Sequence, residues 1–186
     1  MSTPLKVLVV GCGNMGASHA KAYHADPGFE LVGLVDRVPS ARLSLASALG
    51  GVAQFDDYGR ALATARPDCV AVCTYPDTHA ALTLQAFAAG CHVFVEKPVA
   101  TTVAEAEQVV AEATRAGRKL VVGYILRHHP SWLKFIELAQ SLGTPLVMRM
   151  NLNQQSSGAL WATHRNLLES MSPIVDCACT TSTSCA

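Results

Sequence analysis

The feature that most constrains this chain is the stretch Lys6-Val-Leu-Val-Val-Gly-Cys-Gly-Asn-Met-Gly16, in which an apolar run of strand length leads directly into three glycines. Gly11 allows a sharp turn, Gly13 lets a pyrophosphate approach the backbone, and Gly16 lets the next helix pack closely on the strand. Phosphates would lie at the N-terminus of that helix, where unpaired N–H groups and the helix dipole favour anions. The pattern predicts a dinucleotide site, although an ordinary Gly-rich turn shares the bare motif. Cys12, Asn14 and Met15 complete this cofactor loop.

A second apolar run, residues 31–36, ends in Asp36, twenty positions after Gly16. An acid at this spacing accepts hydrogen bonds from the adenosine ribose hydroxyls in a Rossmann site. Its negative charge would repel a 2′-phosphate, so we expect NAD as the cofactor. Arg37 beside it keeps NADP possible.

Composition narrows the class of protein. The chain has 186 residues, of which 50% are hydrophobic and 15% charged, with a formal net charge of zero. Such a chain can bury a core, and it lacks the basic patches typical of nucleic-acid binding. It also lacks the apolar run of about eighteen residues that a membrane span needs, and it shows no signal-peptide pattern. We therefore expect a cytoplasmic protein without nucleic-acid or membrane partners.

The seven cysteines do not indicate a disulfide framework or a metal site. Cys12, Cys69, Cys73 and Cys91 lie in or beside apolar runs, where a thiol behaves as a small apolar side chain. Three more, Cys177, Cys179 and Cys185, lack the fourth ligand that a structural zinc site usually has. We expect no metal.

The order of elements predicts an α/β fold. Apolar strands at residues 31–35, 68–73, 91–95 and 120–122 are separated by helices at 17–25, 39–49, 80–89 and 102–116, with His19 and His24 on the solvated side of the first helix. Continuous apolar strands between helices are typical of a doubly wound parallel Rossmann sheet, here over residues 1–123. A helix at 131–141 with its apolar residues toward a core, then an alternating strand at 146–153, predicts the incomplete start of an α+β substrate domain over residues 124–177.

Reactive side chains follow the strands at the edge where ligands of open parallel sheets bind: Asp36, Thr74, Tyr75, His79, Glu96, Lys97, Tyr124 and Arg127. Lys97 comes directly after a buried strand and is followed by Pro98. Partial desolvation there would lower its pKa and suit proton transfer near neutral pH. A surface lysine at a strand exit is the alternative interpretation.

These motifs, with Gly11–Gly16, Asp36, Pro76-Asp-Thr-His79 and Glu96-Lys97-Pro98 in this order, closely resemble the Gfo/Idh/MocA family of glucose-fructose oxidoreductases and inositol dehydrogenases. The resemblance implies hydride transfer between NAD and a sugar or cyclitol hydroxyl, with Lys97 in acid-base catalysis. It implies that Glu96 and Pro98 shape the nicotinamide pocket, that Thr74, Tyr75, Pro76 and His79 flank the dinucleotide, and that Tyr124, Arg127 and His164 face the substrate. A helix-start residue with no ligand is the alternative interpretation of His79. Full-length relatives are expected to be homo-oligomers.

Family members also carry Asp-x-Gly-x-His-x-x-Asp in the second domain, and the resemblance implies that Asp176, at the first position of this signature, is catalytic. Ala178, Cys179 and Thr180 then stand where Gly, any residue and His belong, and Thr183 replaces the last Asp. Back-translation of residues 178–186, with the serines taken as TCN, gives GCN TGY ACN ACN TCN ACN TCN TGY GCN. One extra base regroups this as NGC NTG YAC NAC NTC NAC NTC NTG YGC, which permits Gly-Val-His-Tyr-Val-Asp-Val-Met-Cys. We therefore expect residues 178–186 to be an out-of-frame tail and the enzyme to be impaired; a non-catalytic dinucleotide-binding fragment or regulator is the alternative.

Resequencing of the gene across the Asp176 codon tests this expectation. If the base was lost in sequencing, we expect one additional base after that codon, which restores the histidine and continues the signature. If the gene itself lost the base, we expect the downstream sequence to continue the signature in the shifted frame. An intact reading frame with no recoverable histidine downstream would contradict the hypothesis.

Overall fold

The computed structural model describes residues 3–143 and, beyond them, residues 157, 158, 161, 165 and 167. The chain divides into two compact units, Met1–Val122 and Gly123–Ala186. The predicted strand at 146–153 lies outside the described residues, as does the predicted tail. The domain boundaries at residues 123 and 177 stay a prediction.

The first unit is built on a parallel six-stranded sheet in the order β3-β2-β1-β4-β5-β6. Its strands are β1 (Leu5–Val10), β2 (Phe29–Val35), β3 (Gln54–Phe55), β4 (Cys69–Val72), β5 (His92–Val95) and β6 (Leu120–Val122). The order reverses between β1 and β4, which is the switch point where ligands of such sheets bind. The predicted doubly wound Rossmann sheet is confirmed.

Five helices connect these strands: α1 (Asn14–Ala25), α2 (Pro39–Ala48), α3 (Tyr58–Ala65), α4 (His79–Ala88) and α5 (Val103–Ala116). A 3₁₀-helix, Pro76–Thr78, precedes α4. Local sequence explains several boundaries. Pro39 supplies the first residue of α2, and Thr102 with Glu105 forms a capping box at the start of α5.

The core has two layers because successive residues of a strand point to opposite faces of the sheet. Val7 and Val9 pack in one cluster with Ala20 of α1 and Leu45 of α2. In the other cluster, Leu8 and Val10 pack with residues of α3, α4 and α5, among them Ala61, Phe87 and Val109. Because helices cover both faces of the sheet, a ligand can bind at the carboxyl ends of the strands.

The second unit, in its described part, contains a 3₁₀-helix, Ile125–His128, and α6 (Pro130–Gln140). The prediction that the apolar residues of this helix face a core holds in part among the described residues: Trp132 and Ile136 are half-buried, whereas Phe135 and Leu138 are 43% and 55% exposed. Within the described residues, α6 contacts the short 3₁₀-helix. Among the described residues no helix has the length and hydropathy of a membrane span.

Candidate functional site

The three glycines of the loop between β1 and α1 have different surroundings. Gly11 has a φ of +93°, and a Cβ added there would lie 2.5 Å from the carbonyl oxygen of Cys73. A Cβ on Gly16 would lie 1.7 Å from the carbonyl oxygen of Gly11, whereas one on Gly13 would meet no described atom within 4 Å. Gly11 and Gly16 are therefore required for the loop itself, and the space beside Gly13 is open for a ligand.

The start of α1 offers unpaired backbone N–H groups to that space. Gly13 is the N-cap, and none of the described side chains caps it or places an acid in the first turn, which contains Asn14, Met15 and Gly16. Because the first N–H groups of a helix have no partner within the helix, they are available to an anion. Met15 is 46% exposed beside them, whereas Cys12 is buried.

Asp36 follows β2 and ties its end to the glycine loop. Its Oδ2 accepts a hydrogen bond from the Cys12 N–H at 2.7 Å, and its Oδ1 accepts one from the Val38 N–H at 2.8 Å. The side chain of Arg42 donates to the Asp36 carbonyl oxygen. A carboxylate has about four acceptor positions, so both oxygens keep capacity for ribose hydroxyls. Arg37 is exposed next to it.

The loop after β4 is held by its own threonines. The Thr78 hydroxyl donates to the Tyr75 carbonyl oxygen at 2.8 Å and lies 2.7 Å from the Thr74 hydroxyl. Since a hydroxyl carries one hydrogen, Thr74 is the donor to Thr78. Pro76 is buried, whereas Tyr75 is 46% exposed at the sheet edge.

The segment Glu96-Lys97-Pro98 follows β5 beside this loop. Glu96 is 7% exposed and its N–H donates to the Val72 carbonyl oxygen at 2.9 Å, which continues the pairing of β5 with β4. Lys97 is half-buried, Pro98 is buried, and the Lys97–Pro98 peptide bond is cis. The lysine therefore emerges from a backbone that is anchored to the sheet.

Two histidines contact this segment from different helices. His19 of α1 places Nε2 2.7 Å from Oε1 of Glu96. His79, only 1% exposed, places Nδ1 2.7 Å from the Pro98 carbonyl oxygen and Nε2 3.0 Å from that of Thr74. A neutral imidazole has one N–H, so His79 donates to both carbonyls only when protonated and to one when neutral.

The expectation that His19 lies on the solvated side of its helix is wrong. Its side chain is 20% exposed because the ring packs against Phe94, with ring centroids 4.6 Å apart. Gly16 and Ala20 are the buried residues of α1, and His19 lies between them on the same helix face. The helical period from Gly16 could have shown this.

The described cysteines are neutral structural thiols. Burial raises the pKa of the Cys12 thiol to about 12 and that of the Cys73 thiol further still, so neither becomes a thiolate at neutral pH. Among the described residues, no three or more His, Cys, Asp or Glu side chains are grouped as metal ligands.

The structure brings together the predicted residues of the first unit at the carboxyl ends of β1, β2, β4 and β5. In the second unit, the Arg127 guanidinium lies 4.6 Å from the ring centroid of Tyr124, a cation–π contact. His164 and Asp176 lie outside the described residues. The prediction that His164 and Asp176 belong to the substrate site therefore rests on the sequence alone.

Comparison with known proteins matches the chain to one family and to enzymes within it. The model of an oxidoreductase family with an NAD-binding Rossmann fold, GFO_IDH_MocA, matches residues 5–124. D-glucoside 3-dehydrogenase of Escherichia coli K12 is 35% identical over 129 residues, which are 69% of this chain and 36% of the relative. Inositol 2-dehydrogenase of Paracoccus denitrificans is 30% identical over 159 residues, 77% of this chain and 44% of the relative.

The fold is also similar to that of a solved structure with bound NAD. The crystal structure of GenD2 from gentamicin A biosynthesis in complex with NAD has a TM-score of 0.71 and 35% sequence identity. The match covers 75% of this chain and 40% of that chain. This chain thus spans less than half the length of these three relatives.

We predict that alanine destabilises the protein much more at Gly16 than at Gly13. Gly16→Ala forces a Cβ against the Gly11 carbonyl oxygen and should lower the free energy of unfolding by about 3 kcal/mol or more. Gly13→Ala, where φ is −71°, should cost about 1 kcal/mol or less, the effect of alanine at an N-cap. Urea unfolding followed by circular dichroism measures both, and equal losses would contradict the assignment.

Proposed function

Because the chain belongs to the Gfo/Idh/MocA oxidoreductase family with its NAD-binding Rossmann fold, we propose that it binds NAD for hydride transfer to or from a sugar or cyclitol hydroxyl. The match to the family model confirms the family that the sequence predicted, and with it the NAD cofactor of that family. The substrate class is carried over from the relatives, which are named as dehydrogenases of a D-glucoside and of inositol.

The open space beside Gly13 is the observation that carries the proposal. A pyrophosphate there would accept hydrogen bonds from the N–H groups at the start of α1, with Gly11, Cys12, Asn14, Met15 and Gly16 forming the wall. Asp36 would accept from the ribose hydroxyls, and its charge favours NAD over NADP even with Arg37 exposed beside it.

The nicotinamide end would lie along the segments after β4 and β5. Thr74, Tyr75 and Pro76 would flank the dinucleotide, and Glu96 with Pro98 would shape the pocket of the ring. His79 has both ring nitrogens next to backbone carbonyls, so its part in cofactor binding would be to hold these two segments together.

Bound NAD supplies a hydride acceptor or donor. Lys97 would exchange the proton of the substrate hydroxyl as the adjacent carbon loses or gains its hydride, which is general acid-base catalysis by a half-buried amine. Asp176 would complete the catalytic group, and Tyr124, Arg127 and His164 would bind the substrate. The cytoplasmic location and the homo-oligomeric state of full-length relatives stay predictions.

A non-catalytic dinucleotide-binding protein is the second candidate. The sequence favours it at one point, because Thr180 stands where the family signature has its histidine. This candidate keeps the cofactor site and lacks turnover.

We predict that the chain binds NADH and that Gly13→Ala weakens binding at least about tenfold, since a Cβ would displace the pyrophosphate from the backbone. NADH fluorescence titration measures the affinity. Gly59→Ala in α3 is the matched control, because its Cβ would make only ordinary contacts at 3.4 and 3.5 Å. Failure of the unmodified chain to bind NADH would refute the cofactor site.

We predict that NAD-dependent oxidation of sugars and cyclitols by the chain depends on Lys97. Lys97→Met should lower turnover at least about a hundredfold through loss of the proton acceptor, with NADH affinity nearly unchanged. Lys119→Met, at an exposed lysine before β6, is the control. NADH binding without turnover of any substrate in the panel would favour the non-catalytic candidate.

A further inference from the structure

We propose that His19 is a positioning residue that links the phosphate-binding end of the site to the lysine-bearing segment through the carboxylate of Glu96. This inference rests on the proposed NAD site. His19 lies three positions after Gly16 on the helix whose N-terminus would hold the pyrophosphate, and Glu96 directly precedes Lys97. The two residues are 77 positions apart in the chain.

The contact is short and shielded from solvent. Nε2 of His19 and Oε1 of Glu96 are 2.7 Å apart, and their side chains are 20% and 9% exposed. A hydrogen bond between a ring N–H and a carboxylate is charge-assisted and stronger than a neutral one. Removing one partner of a buried pair leaves the other charge without compensation, which costs more than the pair contributes.

The other oxygen of Glu96 is directed at the lysine segment. Oε2 of Glu96 lies 3.3 Å from the backbone N of Lys97, and the Glu96 N–H is itself bonded to the Val72 carbonyl oxygen. The carboxylate is therefore held between His19 on one side and the Lys97 backbone on the other. Rotation of the Glu96 side chain would release the Lys97 N–H.

The ring of His19 is fixed by aromatic neighbours. Its centroid lies 4.6 Å from that of Phe94 on β5 and 6.4 Å from that of Tyr23 on α1. Tyr23 in turn packs edge-on against Phe29 of β2. The packing leaves Nε2 facing Glu96 and ties the position of this carboxylate to that of α1.

His19 therefore affects only the binding of the nicotinamide half of the cofactor. The pyrophosphate and adenosine contacts come from the glycine loop and Asp36, which do not involve Glu96. Loss of the His19 hydrogen bond should disturb only the segment Glu96-Lys97-Pro98. A merely structural role of His19 in α1 would instead weaken both halves.

The experiment compares NADH with ADP-ribose, which has the pyrophosphate and adenosine but no nicotinamide, by isothermal titration calorimetry. We expect His19→Ala to weaken NADH about tenfold, as loss of a charge-assisted hydrogen bond does, and ADP-ribose less than about twofold. His19→Gln should restore most of the NADH affinity, because its amide N–H₂ can take the place of Nε2. His24→Ala, an exposed histidine of the same helix, is the matched control and should change neither affinity.

A double-mutant cycle isolates the pair even if His19→Ala is less stable. On a Glu96→Ala background, which has no acceptor for the His19 ring, His19→Ala should have no further effect on NADH affinity, whereas additive effects would overturn the inference. Equal weakening of NADH and ADP-ribose, or no rescue by His19→Gln, would also overturn it. If the unmodified chain binds neither ligand, the proposed NAD site fails, and this outcome is distinct from a failure of the His19 inference alone.

Discussion

The site depends on a close approach between two stretches of backbone, the glycine loop after β1 and the end of β4. Gly11 lies so near the Cys73 carbonyl, and Gly16 so near the Gly11 carbonyl, that a single added carbon would overlap them. Because these backbone segments lie so close together, α1 begins directly at the carboxyl end of β1. The N–H groups of its first turn face the open space beside Gly13. The Cys12 N–H also donates to Asp36. The residues that follow β1, β2 and β4 therefore contact one another at the carboxyl ends of these strands.

The far end of the site depends on buried polar groups. Glu96 and His79 are among the few buried polar side chains of the described chain, and each is satisfied by a contact that crosses between segments. A polar group is costly to bury without a partner, so these contacts specify where the segment Glu96-Lys97-Pro98 lies. The buried thiols of Cys12 and Cys73 stay protonated, because burial raises their pKa.

Much of the fold and part of the site could be predicted from local patterns. The strand ends and the helices α2, α5 and α6 were predicted to within a few residues, since apolar runs, prolines and caps act locally. The strand β3 was missed, because two residues carry no periodic signal and only pairing with β2 makes them a strand. The start of α1 at Asn14 was also missed. Glycine is unfavourable in a helix, so Gly16 suggested that the helix begins after it, whereas α1 begins immediately after Gly13.

The sequence by itself determined most strands of the sheet, the glycine loop and the acid at Asp36, since each depends on spacing within one strand, turn and helix unit. The tertiary structure alone decided what His19 and His79 contact. Their partners come from other crossovers of the sheet, and packing of α1 and α4 against it brings these side chains to the strand ends. Sequence distance contains no information on such contacts, because the order of strands in the sheet differs from their order in the chain.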